Sequence, residues 1–231
     1  MEDRIVLKGR SHAYSAYVAR PSALPAPAVV VLHEVFGVNA DIRQTCDDLA
    51  AQGFLAVAPD LFWRQEPDVD LSVRSEVDWQ HGLRLYMAYD RDAGAGDIED
   101  VVGAVARSSD CTGKVAVLGY CLGGLMSFLV AARSAVDAAV AYHGGDTEKY
   151  LDEADAIGAP LLMHLAEEDE FISKPAQAQI QAALAGKPNA AIYSYPGQRH
   201  AFSRHNGEHY DAASATLANG RTHDFLHRAL D

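Results

Sequence analysis

The run Ala28-Val29-Val30-Val31-Leu32-His33 constrains the fold more than any other stretch of the chain. It is apolar without a break, rich in β-branched residues and ends on a polar side chain, the signature of a strand buried on both faces of a parallel sheet. Further strands are expected at Leu55–Ala58, Lys114–Gly119, Ala138–Tyr142, Pro160–Leu165 and Ala190–Tyr195. Between them lie helical periodicities at Ala40–Gln52, Glu76–Ala88, Asp97–Arg107, Leu122–Ala135, Pro175–Ala185 and Tyr210–Leu230. Ile5-Val6-Leu7 and the segment Ala13–Val18 read as two shorter strands that pair as an antiparallel edge. Strands alternating with helices predict an α/β fold: a mostly parallel, doubly wound sheet of about eight strands flanked by helices. The longest expected loop is Asp60–Ser75.

With 231 residues, no internal repeat and no linker rich in Pro, Gly or Ser, residues 1–231 are expected to form a single domain. The balance of 19 basic against 32 acidic residues leaves a net charge of −13. A surface of that sign repels phosphate backbones and anionic headgroups, so no nucleic-acid and no membrane partner is expected and a small molecule is the expected ligand. No apolar run approaches the roughly 20 residues of a membrane span. The opening Met1-Glu2-Asp3-Arg4 does not resemble a signal peptide. The three cysteines, Cys46, Cys111 and Cys121, show no framework spacing, which favours free thiols and a cytoplasmic location. A monomer or small homo-oligomer is expected.

Ligands of open α/β sheets bind beyond the carboxyl ends of the strands, and several of those ends carry reactive side chains. The strand over 114–119 runs into Tyr120-Cys121-Leu122-Gly123-Gly124 and then a helix, a Gly-x-Cys-x-Gly form of the nucleophile elbow. A turn that thrusts one side chain into a cleft crowds the residues two before and two after it, which makes Gly119 and Gly123 the residues that fit. It also sets Cys121 at the positive end of a helix, where a thiolate is favoured. Asp169 follows the strand over 160–165 and His200 follows the strand over 190–195, so Cys121, Asp169 and His200 stand in nucleophile, acid, base order. Glu167 and Glu168 are alternatives for the acid. His200, His205 and His209 match no zinc spacing, and no metal is expected there. His33 is expected to be structural, Cys46 to lie in the core and Cys111 to occupy a turn.

Gly119–Gly124, together with Glu34-Val35-Phe36-Gly37-Val38-Asn39, Ala58-Pro59-Asp60-Leu61 and Ala93-Gly94-Ala95-Gly96-Asp97, resembles the dienelactone hydrolases, or carboxymethylenebutenolidases, from about residue 28 to about 226. The resemblance implies the α/β-hydrolase fold and hydrolysis of a small lactone, in the breakdown of chlorinated aromatic compounds, by a Cys-His-Asp triad with no cofactor. Carried over, it assigns Cys121 as nucleophile, His200 as base and Asp169 as orienting acid. It makes Glu34 a carboxylate that interacts with the resting thiol and shifts when substrate binds. The N–H groups of Leu122 and Val35 are the expected oxyanion hole. Arg204 matches one of the arginines with which the family's prototype grips a substrate carboxylate, whereas Trp79 stands where another is expected. Phe36, Leu83 and Tyr86 are expected at the substrate pocket, and Arg74 or Arg84 is a substitute cation. The alternatives are a general carboxylesterase or thioesterase of the same fold, or a non-catalytic binding protein that uses Cys121 as a redox sensor.

Overall fold

The computed structural model describes residues 4–9 and 12–231. One eight-stranded sheet runs through it in the order β1-β2-β4-β3-β5-β6-β7-β8. β1 (Arg4–Lys8) and β2 (Ala13–Ala19) form the antiparallel edge, and β2 joins β4 (Leu55–Pro59), also antiparallel. From β4 onward, β3 (Ala26–Leu32), β5 (Cys111–Tyr120), β6 (Ala138–Tyr142), β7 (Leu161–Ala166) and β8 (Ala190–Tyr195) are all parallel. Every residue of β4, β6 and β7 is buried, because helices cover both faces. On one face α1 (Ala40–Ala51) and α6 (Ala212–Leu230) bury Ile42, Cys46, Leu49, Ala218 and Leu226 against Val29, Val31 and Leu118. On the other, α3 (Arg91–Ala106), α4 (Leu122–Arg133) and α5 (Lys174–Leu184) pack on Val30, Leu32, Val115 and Val117, with Leu85 of α2 (Glu76–Ala88) at the margin.

Three expectations are corrected. α3 starts at Arg91 rather than Asp97: Asp90 caps it by accepting from the N–H groups of Asp92 and Ala93, and Gly94 is held by close approach to the Tyr89 ring. Tertiary packing there overrides the poor helix propensity of glycine. A 3₁₀ segment, Thr147–Ala156, was not expected; its polar sequence shows little periodicity, and it forms where it packs on α4 and α5. Cys111 opens β5 and is buried instead of occupying a turn.

Among the described residues, five of the six α-helices begin on a residue whose side chain accepts a hydrogen bond from the first turn: Asn39, Ser75, Asp90, Ser173 and Asp211. α4 begins on Cys121 and has no side-chain cap, so its first N–H groups are not consumed by the helix's own start.

The glycines of the elbow are packing requirements, and two substitutions expose the difference. A Cβ on Gly123 would collide with the Leu32 carbonyl, whereas one on Gly96 of α3 meets nothing. Gly96→Ala should therefore stabilise the protein by about 0.5–1 kcal/mol, a rise of a few degrees in melting temperature, and Gly123→Ala should lower the melting temperature sharply or abolish folding.

Candidate active site

β5 ends in the turn that carries Cys121, whose backbone stands at φ 53°, ψ −112°. Such a conformation is costly for a residue with a Cβ and survives only where the surroundings enforce it. Here the Cys121 N–H donates to the Tyr142 carbonyl at 3.1 Å and the Gly123 N–H to the His33 carbonyl at 3.2 Å, tying the turn to the ends of β6 and β3. A Cβ on Gly119 would strike the Gly123 carbonyl, the crowding anticipated from the motif. Cys121 is half-buried, while Cys46 and Cys111 are buried, and burial pushes both of their thiols up.

Asp169 and His200 meet beside this turn. The His200 Nδ1–H lies 2.9 and 3.0 Å from the two carboxylate oxygens of Asp169, whose side chain is fully buried. Asp169 also accepts from the N–H groups of Phe171 and Ile172, which fixes the carboxylate. The other acids of this loop are committed elsewhere: Glu167 accepts from the Gly197 N–H, Glu168 pairs with Lys174, and Glu170 accepts from the His200 N–H and pairs with Arg199. Burial by itself would lower the His200 pKa, but the negative charge of Cys121 and the bonded carboxylate of Asp169 outweigh it and raise the imidazole to about 10. The Nε2 edge of the same ring is buried and has no hydrogen-bond partner among the described residues.

The loop after β3 supplies the other side. His33 bridges it to the end of β4: its Nδ1–H donates to the Glu34 carbonyl at 2.6 Å and its Nε2 accepts from the Leu61 N–H at 2.9 Å, the structural role expected of it. The same loop is held by the long connection after β4, since the Val38 N–H donates to Val69 and the Leu71 N–H to Phe36. The Gly123 N–H of α4 reaches the His33 carbonyl at the start of this loop, and among the described residues neither the Val35 nor the Leu122 N–H donates a loop or turn hydrogen bond.

Glu34 departs from expectation. Its carboxylate is held by Arg204 in a two-pronged pair, Nε to Oε2 at 2.7 Å and Nη2 to Oε1 at 2.9 Å, and not by the Cys121 thiol. The physical reason is plain: a buried carboxylate gains far more from a guanidinium fork, with two charge-assisted hydrogen bonds, than from a thiol. Arg204 also stacks on the Phe36 ring at 5.1 Å.

Between these elements opens a cleft of about 610 Å³ with Phe36, Arg74, Trp79, Phe171, His200 and Arg204 among its lining residues. Trp79 bridges Phe36 and Phe171, each ring pair 5.9 Å apart, and Phe171 meets His200 edge-on at 4.8 Å. Of the two substitute cations, Arg74 lies in the cleft, whereas Arg84 is exposed and does not line it. Tyr86 stands beyond the cleft lining, donating to Asp146 at 2.7 Å; burial and that bond raise its phenol, with a smaller contribution from the charge of Cys121. His205 pairs with Asp48, and His209 donates to the His200 carbonyl, so the three loop histidines serve separate purposes. The reading from sequence missed Phe171 and Glu170; their only signal was adjacency to Asp169.

The profile of the dienelactone hydrolase family matches residues 14–230. A protein of Azospirillum brasilense, provisionally named a carboxymethylenebutenolidase, is 41% identical over 231 residues and covers 100% of both chains. The carboxymethylenebutenolidase of Pseudomonas putida is 38% identical over 215 residues, 93% of this chain and 91% of its own. A crystal structure from Klebsiella pneumoniae, provisionally named a dienelactone hydrolase, superposes with a TM-score of 0.85 at 27% identity over 96% of each chain. The chain belongs to the dienelactone hydrolase family of the α/β-hydrolase fold and is a hydrolase of ester bonds, lactones included.

Proposed function

We propose that the protein opens a small anionic lactone such as dienelactone through a Cys121–His200–Asp169 triad and an acyl-thioester intermediate. The observation that carries this reading is the His200 ring, bonded through Nδ1 to a buried carboxylate and raised to about 10 by the neighbouring sulfur. The Cys121 thiolate attacks the lactone carbonyl carbon, and the oxygen that gains the charge is received by the N–H groups of Leu122 and Val35. As the ring C–O bond breaks, its oxygen takes the proton from His200 Nε2, leaving a thioester and a neutral imidazole. Water then gives a proton to Nε2 while its oxygen attacks the thioester; the C–S bond breaks, the acid departs and the thiolate–imidazolium pair is restored. Asp169 holds the imidazole in the tautomer that presents Nε2. A reducing cytoplasm suits such a sulfur.

An anionic substrate approaches against the charge of −13 and needs a local cation. Arg204 supplies it, but its fork is occupied by Glu34. A substrate carboxylate competes with Glu34 for that guanidinium, so binding frees the Glu34 side chain beside the catalytic turn. Trp79 in place of a second arginine, backed by Phe36 and Phe171, favours the alternative of a broader carboxylesterase or thioesterase. A substrate panel separates the two: preference for neutral acyl chains over carboxylated lactones selects the broader enzyme.

Three measurements test the proposal. Cys121→Ala should abolish hydrolysis of dienelactone and of nitrophenyl esters, and undiminished turnover would overturn the assignment; Cys121→Ser should lose most activity, because its hydroxyl supplies no resting anion. In the pH profile of wild-type kcat/KM, activity should persist through neutral pH and fall as pH rises through about 10, where His200 loses the proton it must donate. A basic limb near pH 6.5 would mean that no stable imidazolium is present. Finally, the double variant Glu34→Gln, Arg204→Met, which leaves no buried charge unpaired, should raise KM for a carboxylated lactone at least about tenfold more than for a neutral ester, the loss of one charge-assisted contact.

A further inference from the structure

His143, which follows β6, is the least expected side chain around the triad. Its backbone stands at φ 37°, a conformation that a residue with a Cβ adopts only when its surroundings impose it. Its N–H donates to the His164 carbonyl at 2.8 Å, which pins it at the strand end. The ring is 1% exposed, and neither ring nitrogen has a hydrogen-bond partner among the described residues. An imidazole buried this way gains nothing from its polarity. Burial, then the positive charges of His200 and Arg204, hold its pKa well below the ordinary histidine value, so the ring is neutral.

Its nearest aromatic neighbour is the catalytic histidine. The His143 and His200 ring centroids are 4.4 Å apart at an interplanar angle of 60°, while Tyr120, Tyr142 and Phe202 stand at 6.2, 6.3 and 6.5 Å. From the cleft, Phe171 meets His200 edge-on at 4.8 Å. The Asp169 bonds anchor one edge of the His200 ring but leave it free to rock about them. Phe171 and His143 both contact that ring, and contacts of this kind restrict such rocking.

We propose that His143 is a positioning residue that holds the His200 ring from the protein interior and keeps Nε2 directed at Cys121. This rests on the proposed role of His200. His143 acts through ring shape and lack of charge rather than through its nitrogens. A misplacement of about 1 Å in a catalytic group costs on the order of 100-fold in rate, so the contact is large enough to matter.

The test uses His143→Ala and His143→Phe in the full chain, with thermal melting to establish that each is folded. Two readouts are taken: kcat and KM for a nitrophenyl ester, and the rate of Cys121 alkylation by iodoacetamide at pH 6, with Cys121→Ala as background. His143→Ala should lower kcat by about 10- to 100-fold with KM within about twofold of wild type, and should slow alkylation, because a rocking imidazolium no longer sustains the thiolate. His143→Phe should recover both readouts to within about threefold of wild type, since it restores the ring without the nitrogens. A folded His143→Ala with wild-type kcat and alkylation overturns the proposal, as does a folded His143→Phe as impaired as the alanine variant. Alkylation requires no substrate, so a wild-type Cys121 that reacts no faster than background condemns the thiolate reading itself, separately from the role of His143. Should His143→Ala fail to fold, the comparison of His143→Phe with wild type decides.

Discussion

The close approach of Gly119, Gly123 and the Leu32 carbonyl sets where every other part of the site can stand. With no Cβ at either position, β5 can turn straight into α4 beneath the end of β3, and the hydrogen bonds to His33 and Tyr142 lock that turn. Two consequences follow from the one contact. Cys121 is forced into a strained backbone conformation, and α4 starts with no side-chain cap, its Gly123 N–H bonded instead to the His33 carbonyl at the end of β3. A larger residue at either glycine would force β5 and α4 apart at Cys121 as well as weaken the core.

Around this turn the charges are arranged in pairs. Asp169 is bound to His200 and Glu34 to Arg204, each pair largely withdrawn from water, in a chain whose overall charge is strongly negative. The imidazole of His200 thus has a buried carboxylate as its immediate partner, and the Arg204 guanidinium is held by a resident carboxylate. Pairing matters more than net charge here, because inside a low-dielectric cleft a neighbouring ion outweighs the distant, solvent-screened surface.

Much of this was legible in the chain because it rests on local rules. The buried-strand runs, the helix periodicities and the order Cys121, Asp169, His200 each depend on residues within one turn or strand end, and the eight-stranded sheet and the Asp169–His200 bond follow from them. What was not legible depends on neighbours distant in sequence. α3 begins six residues early because Asp90 caps it and Tyr89 packs on Gly94. The 3₁₀ segment at 147–156 exists only against α4 and α5. Glu34 and Arg204 are 170 positions apart, so nothing local signals that they choose each other over the thiol.

By itself the sequence determined the alternation of strand and helix, the elbow and the order of Cys121, Asp169 and His200 at the strand ends, since spacing and side-chain size dictate these at short range. The tertiary structure alone decided which charges are paired, that Arg74 and not Arg84 enters the cleft, and that His200 is held between Phe171 and His143. Electrostatic partnership and ring packing act through space, and only the folded chain brings the two histidines, 57 positions apart, to 4.4 Å.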